Sequence, residues 1–117
     1  MIWFLRGKKE AIELFYKIKR RSVPFCSPVS VVEVLAGLKP GEEEKTEEFL
    51  NSLEVIPVDR EVAEVAGELI RQQKNKAGQV GFSDAIIAAT CLVGKFVLIT
   101  YNQKHYRVFK GLEIYSE

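Results

Sequence analysis

The apolar run Phe96-Val97-Leu98-Ile99, preceded almost at once by the nearly all-apolar residues 85–93, constrains the fold more than any other feature. Four consecutive apolar residues without alternation describe a strand covered on both faces, as inside a parallel sheet. Residues 85–93 are apolar almost all round and read as a helix buried on most sides, ended by Gly94. The same theme recurs upstream in weaker form. Val23-Pro24-Phe25-Cys26 and Val55-Ile56-Pro57-Val58 read as short strands, and Leu112-Glu113-Ile114-Tyr115 as a last one. Between them lie helical patterns: Ala11, Leu14, Phe15 and Ile18 over residues 8–21, and Val29, Val32, Val34 and Leu35 after the Ser27-Pro28 start signal, closed by Gly37 as a left-handed stop. A third helix opens at Pro40-Gly41 with Glu42, Glu43 and Glu44 in its first turn and Phe49, Leu50 and Leu53 as its stripe. Asp59 caps a fourth, lined by Val62, Ala63, Ala66, Leu69, Ile70 and Gln73 and ending near Gly78. Strands alternating with helices predict an α/β domain with a mainly parallel sheet, whose ligands bind beyond the carboxyl ends of the strands.

Composition narrows the class. With 117 residues, 47% of them hydrophobic, one domain can bury a core without disulfides. Cys26 and Cys91 are too far apart in sequence to form a framework or a metal-ligand spacing, which points to a reducing, cytoplasmic compartment. No apolar run reaches the length of a bilayer span, and Met1-Ile2-Trp3-Phe4-Leu5 is too short for a signal-peptide core. The net charge of +1 hides a segregation: residues 1–39 carry +5, residues 40–68 carry −8 and residues 69–117 carry +4. Basic ends could meet as one positive surface, or the runs could simply be solvated helix faces.

Phosphate-cradling glycine loops are missing from the sequence, as is a nucleophile elbow, and there is one histidine. Carboxylates near strand ends remain. Asp84 stands at the start of the buried helix and Glu33 on the helix after the first visible strand; converging there, they would make an oxygen-rich site for Mg2+ or Mn2+. Each also has a purely structural reading. Ser30-Val31-Val32-Glu33 fits a capping box, Asp84 fits an acid at a helix N-terminus, and His105 fits an exposed loop residue.

Three segments together resemble the PIN-domain ribonucleases, especially toxins of the VapC type. Ser30-Val31-Val32-Glu33-Val34-Leu35-Ala36-Gly37 is similar to the family's second-acid motif, and Ser83-Asp84-Ala85-Ile86-Ile87-Ala88-Ala89-Thr90 to its third. Leu98-Ile99-Thr100-Tyr101-Asn102-Gln103-Lys104-His105-Tyr106 is similar to the last, and Gly111-Leu112-Glu113-Ile114 fits the closing strand. The resemblance runs in order over essentially the whole chain. It implies a single three-layer α/β domain over residues 1–117, with helices flanking the sheet.

Two departures accompany these matches. Ile2-Trp3-Phe4-Leu5-Arg6-Gly7 is similar to the segment just after the family's first motif, a central strand ending in Asp-Thr-Ser or Asp-Thr-Asn. The expectation is therefore a chain without that strand and without its metal-binding aspartate. His105 stands where the family usually has an acid, and imidazole is a poorer ligand for Mg2+ than for Mn2+. By resemblance, Glu33 and Asp84 are catalytic and bind metal with Asn102, and His105 is a further candidate ligand. Thr100, Lys17, Arg20, Arg21, Lys104 and Arg107 would meet RNA, with Lys19 and Lys110 as additional basic candidates. The resemblance also implies a homodimer and an antitoxin that lays a helix into an apolar groove lined by residues 29–53. Two alternatives stay open: a PIN-like module that binds an antitoxin-like partner without cleaving RNA, and a doubly wound small-molecule binder.

Overall fold

Parallel backbone pairing carries the sheet in the computed structural model, which describes residues 24–74, 80–100 and 103–115. Strand β1 (Phe25–Cys26) pairs with β2 (Glu54–Val55). The Glu54 N–H donates to the Pro24 carbonyl at 3.0 Å and the Ile56 N–H to the Cys26 carbonyl at 2.9 Å, the even spacing of a parallel ladder. A second parallel bridge joins Leu98 to Ile114. Strand β2 is shorter than the Val55-Ile56-Pro57-Val58 run predicts, since Pro57 has no N–H to extend the ladder, and after Cys26 the chain turns directly into a helix. Ser27 takes an extended conformation and its Oγ accepts the Val29 N–H at 3.1 Å, while Pro28 fills the first helical position, where no N–H is needed.

Helix α1 (Pro28–Ala36) follows, then α2 (Glu43–Asn51), β2, α3 (Arg60–Gln73), α4 (Phe82–Gly94) and the single turn α5 (Gln103–Tyr106). The N-cap expected at Asp59 is present: its Oδ1 accepts the Val62 N–H at 2.9 Å. Four readings need correction. Gly37 closes α1 at φ −95°, outside the left-handed region. Glu33 is the sixth residue of a helix capped by Ser27, so it takes no part in a capping box with Ser30. Ala63 is exposed, and α3 turns Val62, Ala66 and Leu69 inward. Gly94 belongs to α4, and it is Lys95 that adopts the left-handed stop at φ 57°. The expected helix over residues 8–21, and residues 2–7 with the first-strand expectation attached to them, lie outside the described residues.

The core forms where α3 packs along α4. Ala85, Ile87, Ala88, Ala89, Thr90 and Cys91 are all buried, as the near-uniform hydrophobicity of the segment predicts. Ala66 on α3 and the alanines of α4 are small enough for two helices to approach closely. The Thr90 hydroxyl donates back to the Ile86 carbonyl at 2.8 Å, so its burial leaves no donor unsatisfied. Leu98, Tyr106 and Phe109 complete the cluster from the C-terminal side. Both cysteines are buried, and burial pushes the Cys91 thiol up to about 11.

Gly94 is a glycine for space. A Cβ there would run into the Phe96 ring, and that ring cannot swing away freely because it stacks on Phe25 with centroids 5.0 Å apart. Alanine in place of a helical glycine normally stabilises. Here Gly94→Ala should destabilise, by about 1–3 kcal/mol as for other overpacked sites. A thermal melt checks the sign.

Candidate active site

Asp84 is the third residue of α4 and sits immediately before the fully buried Ala85. Its carboxylate folds back over the helix start, with Oδ2 3.5 Å from the position a Cβ on Gly81 would occupy. The two oxygens have different neighbours. Oδ1 accepts the phenolic O–H of Tyr106 at 3.0 Å, and Oδ2 lies 3.7 Å from Nδ1 of His105. Tyr106 is 1% exposed, whereas the His105 side chain is 64% exposed. The loop carrying both leaves the carboxyl end of the Leu98 bridge, where a parallel sheet is expected to place a site.

Burial, then the charge of Asp84 and its hydrogen bond, then the charge of Glu33 push the Tyr106 phenol far above the ordinary tyrosine range. Two carboxylates, one from α1 and one from α4, thus act electrostatically on a single buried hydroxyl. Sequence reasoning paired Glu33 with Asp84; in the structure Asp84 hydrogen-bonds Tyr106, and Glu33 acts on that phenol through its charge. Sequence reasoning did not identify Tyr106 as the partner of Asp84. The aromatic residue was visible in the last motif, but its contact with Asp84 spans 22 residues and has no local signal.

The remaining candidates divide by position. Lys104 and Arg107 are exposed, with Arg107 donating to the Gln103 side chain at 3.2 Å; Lys110 is exposed as well. Thr100 is 6% exposed, so little of it faces solvent. Asn102, Lys17, Lys19, Arg20 and Arg21 lie outside the described residues.

The sequence profile described as PIN domain matches residues 1–110. The chain belongs to the PIN domain family. Ribonuclease VapC10 of Mycobacterium tuberculosis is 28% identical over 113 residues, which cover 97% of this chain and 85% of that protein. Among solved structures, VapBC2 from Rickettsia felis, bound to a DNA fragment from its promoter, superposes with a TM-score of 0.77 at 19% identity and 98% coverage of both chains. A toxin–antitoxin complex from Klebsiella pneumoniae superposes with a TM-score of 0.70 at 26% identity, over 91% of this chain and 83% of that one. The α/β architecture expected of a PIN domain is therefore the one this chain adopts.

The donor chemistry of this PIN domain suits a hard divalent cation. Mg2+ typically takes one or two protein carboxylates and keeps several waters, and Asp84 and Glu33 are carboxylates carried on two different helices. Among the described residues no three His, Cys, Asp or Glu side chains gather about one point. Water or substrate oxygens would complete the shell.

The Tyr106 proton gives a pH signature. An unfolded chain releases it near pH 10.0, while the folded chain holds it well beyond, so the stability it contributes is intact below pH 10.0 and is lost as pH rises above that value. Ultraviolet titration should show a tyrosine that ionises only with alkaline unfolding. Tyr106→Phe should remove that phase.

Proposed function

We propose that this PIN domain, with residues 1–117 acting as one unit, is a metal-dependent endoribonuclease of the VapC toxin type that cleaves RNA phosphodiesters. The observation that carries the reading is the Asp84 carboxylate at the start of a buried helix, sharing the Tyr106 phenol with the charge of Glu33. Similarity to a ribonuclease over 97% of the chain supports it. A Mg2+ or Mn2+ ion held by Asp84 and Glu33 would neutralise charge building on the attacked phosphodiester and lower the pKa of a bound water. Asp84 occupies a first-turn position that suits an anion. Asn102 would add an amide oxygen, and His105 an imidazole that Mn2+ accepts more readily than Mg2+. Lys104 on α5 and Arg107 just after it are exposed, suited to the RNA backbone, where contacts are electrostatic and salt-sensitive. By charge, Lys17, Arg20 and Arg21 would add to that basic set, with Thr100 a further candidate contact.

The solved relatives are toxin–antitoxin complexes, and we extend that kind of partner to this chain. Val32 and Leu35 of α1 are 65% and 50% exposed, and α1 lies against α2, which buries no residue of its own. Such a face suits the apolar side of an antitoxin helix. The working form in this reading is a cytoplasmic homodimer. No helix among the described residues is long and apolar enough to cross a membrane.

Asp84→Asn and Glu33→Gln should each lower RNA cleavage by more than about 100-fold, beyond the usual effect of altering an outer-shell partner. Both variants should keep the wild-type melting transition, and a chelator should abolish cleavage by the unaltered chain. His105→Asp adds a hard oxygen and one negative charge, so Mg2+ affinity and cleavage in Mg2+ should rise, with a smaller gain in Mn2+. Undiminished cleavage by Asp84→Asn would sink the nuclease reading.

The partner surface is tested separately. Leu35→Lys should weaken antitoxin binding by at least about tenfold, as charging a contact residue commonly does, while leaving RNA cleavage by the free toxin unchanged. Calorimetry and a cleavage assay read the two effects.

A further inference from the structure

We propose that Tyr106 is a positioning residue that makes Asp84 a one-oxygen ligand, engaging Oδ1 and leaving Oδ2 for a divalent cation. This rests on the reading of Asp84 as a metal ligand. The geometry separates the two oxygens. Oδ1 faces a phenol that is 1% exposed, so it points toward the core, whereas Oδ2 faces the largely exposed His105. The terminal torsion of an aspartate is broad and nearly two-fold, so an unheld carboxylate would exchange its oxygens. A donated hydrogen bond of 3.0 Å from a buried, immobile ring removes that freedom.

The same bond also locates α5. A four-residue helix has no stability of its own. It is held in place by the burial of Tyr106 and Phe109, whose rings lie 6.2 Å apart, and by the link across 22 residues to the first turn of α4. Lys104 and Arg107 therefore ride on a segment whose position is referenced to Asp84. Burial alone would be served equally by phenylalanine. The hydroxyl is the part that packing does not explain.

Mn2+ titration of the whole chain by calorimetry, in the absence of RNA, tests this with Tyr106→Phe and Asp84→Asn beside the unaltered protein. Tyr106→Phe keeps the ring and should fold, yet it should lose about 10- to 100-fold in Mn2+ affinity, the range for removing an outer-shell partner. In the unaltered chain Mn2+ should perturb the tyrosine ultraviolet spectrum, because the acceptor of the phenol changes its charge environment, and Asp84→Asn should show no such signal. Wild-type Mn2+ affinity in a folded Tyr106→Phe overturns the proposal while sparing Asp84, provided Asp84→Asn has lost binding. If Tyr106→Phe does not fold, a tyrosine spectrum indifferent to Mn2+ in the unaltered chain overturns it. Full Mn2+ affinity in Asp84→Asn removes the metal-site reading itself, and this inference with it.

Discussion

Helix α4 has almost no solvent-facing side over its middle turns, and the placement of the other described elements follows from that burial. Ala85 and the run from Ile87 to Cys91 are covered by α3, by the Leu98 segment and by the Tyr106–Phe109 turn. Interiors are close-packed, so a helix enclosed in this way has one position along its axis and one rotation about it. Asp84 precedes the first fully buried residue. Its carboxylate therefore leaves the protein at a point fixed by the core, and a site held on a rigid element is more precise than one held on a loop.

Charge is arranged around this fixed point in two zones. Close to it, the charges of Asp84 and Glu33 act on a phenol kept neutral by burial and by their own field. Lys104, Arg107 and Lys110 are exposed to solvent. The acidic stretch over residues 40–68 is used differently. Glu43, Glu44, Glu47 and Glu48 lie exposed on α2, and Glu64 pairs with Arg60 at 3.3 Å with both side chains largely in solvent. Pairs of that kind contribute little to stability, so the segment's negative charge belongs to the surface.

Glycines show how one residue type serves different physical needs. Gly41 takes φ +90° at the entry to α2, a conformation L side chains rarely adopt. Gly94 has a helical backbone and is required because Phe96, stacked on Phe25, occupies the space a side chain would need. Sequence patterning treats both as breakers. Only the second depends on a ring held by a strand distant in the chain.

What the sequence determined by itself is what local chemistry controls. The Ser27 and Asp59 caps act over two or three residues, and the burial of α4 follows from its composition, so both were legible. The tertiary structure alone decided the lengths of β1 and β2, the stop at Lys95 and the inward face of α3. It also decided that Tyr106 hydrogen-bonds Asp84 and that His105 faces its other oxygen. Those outcomes depend on groups far apart in the chain meeting across a packed core, and a periodicity that repeats every few residues carries no information about such distances.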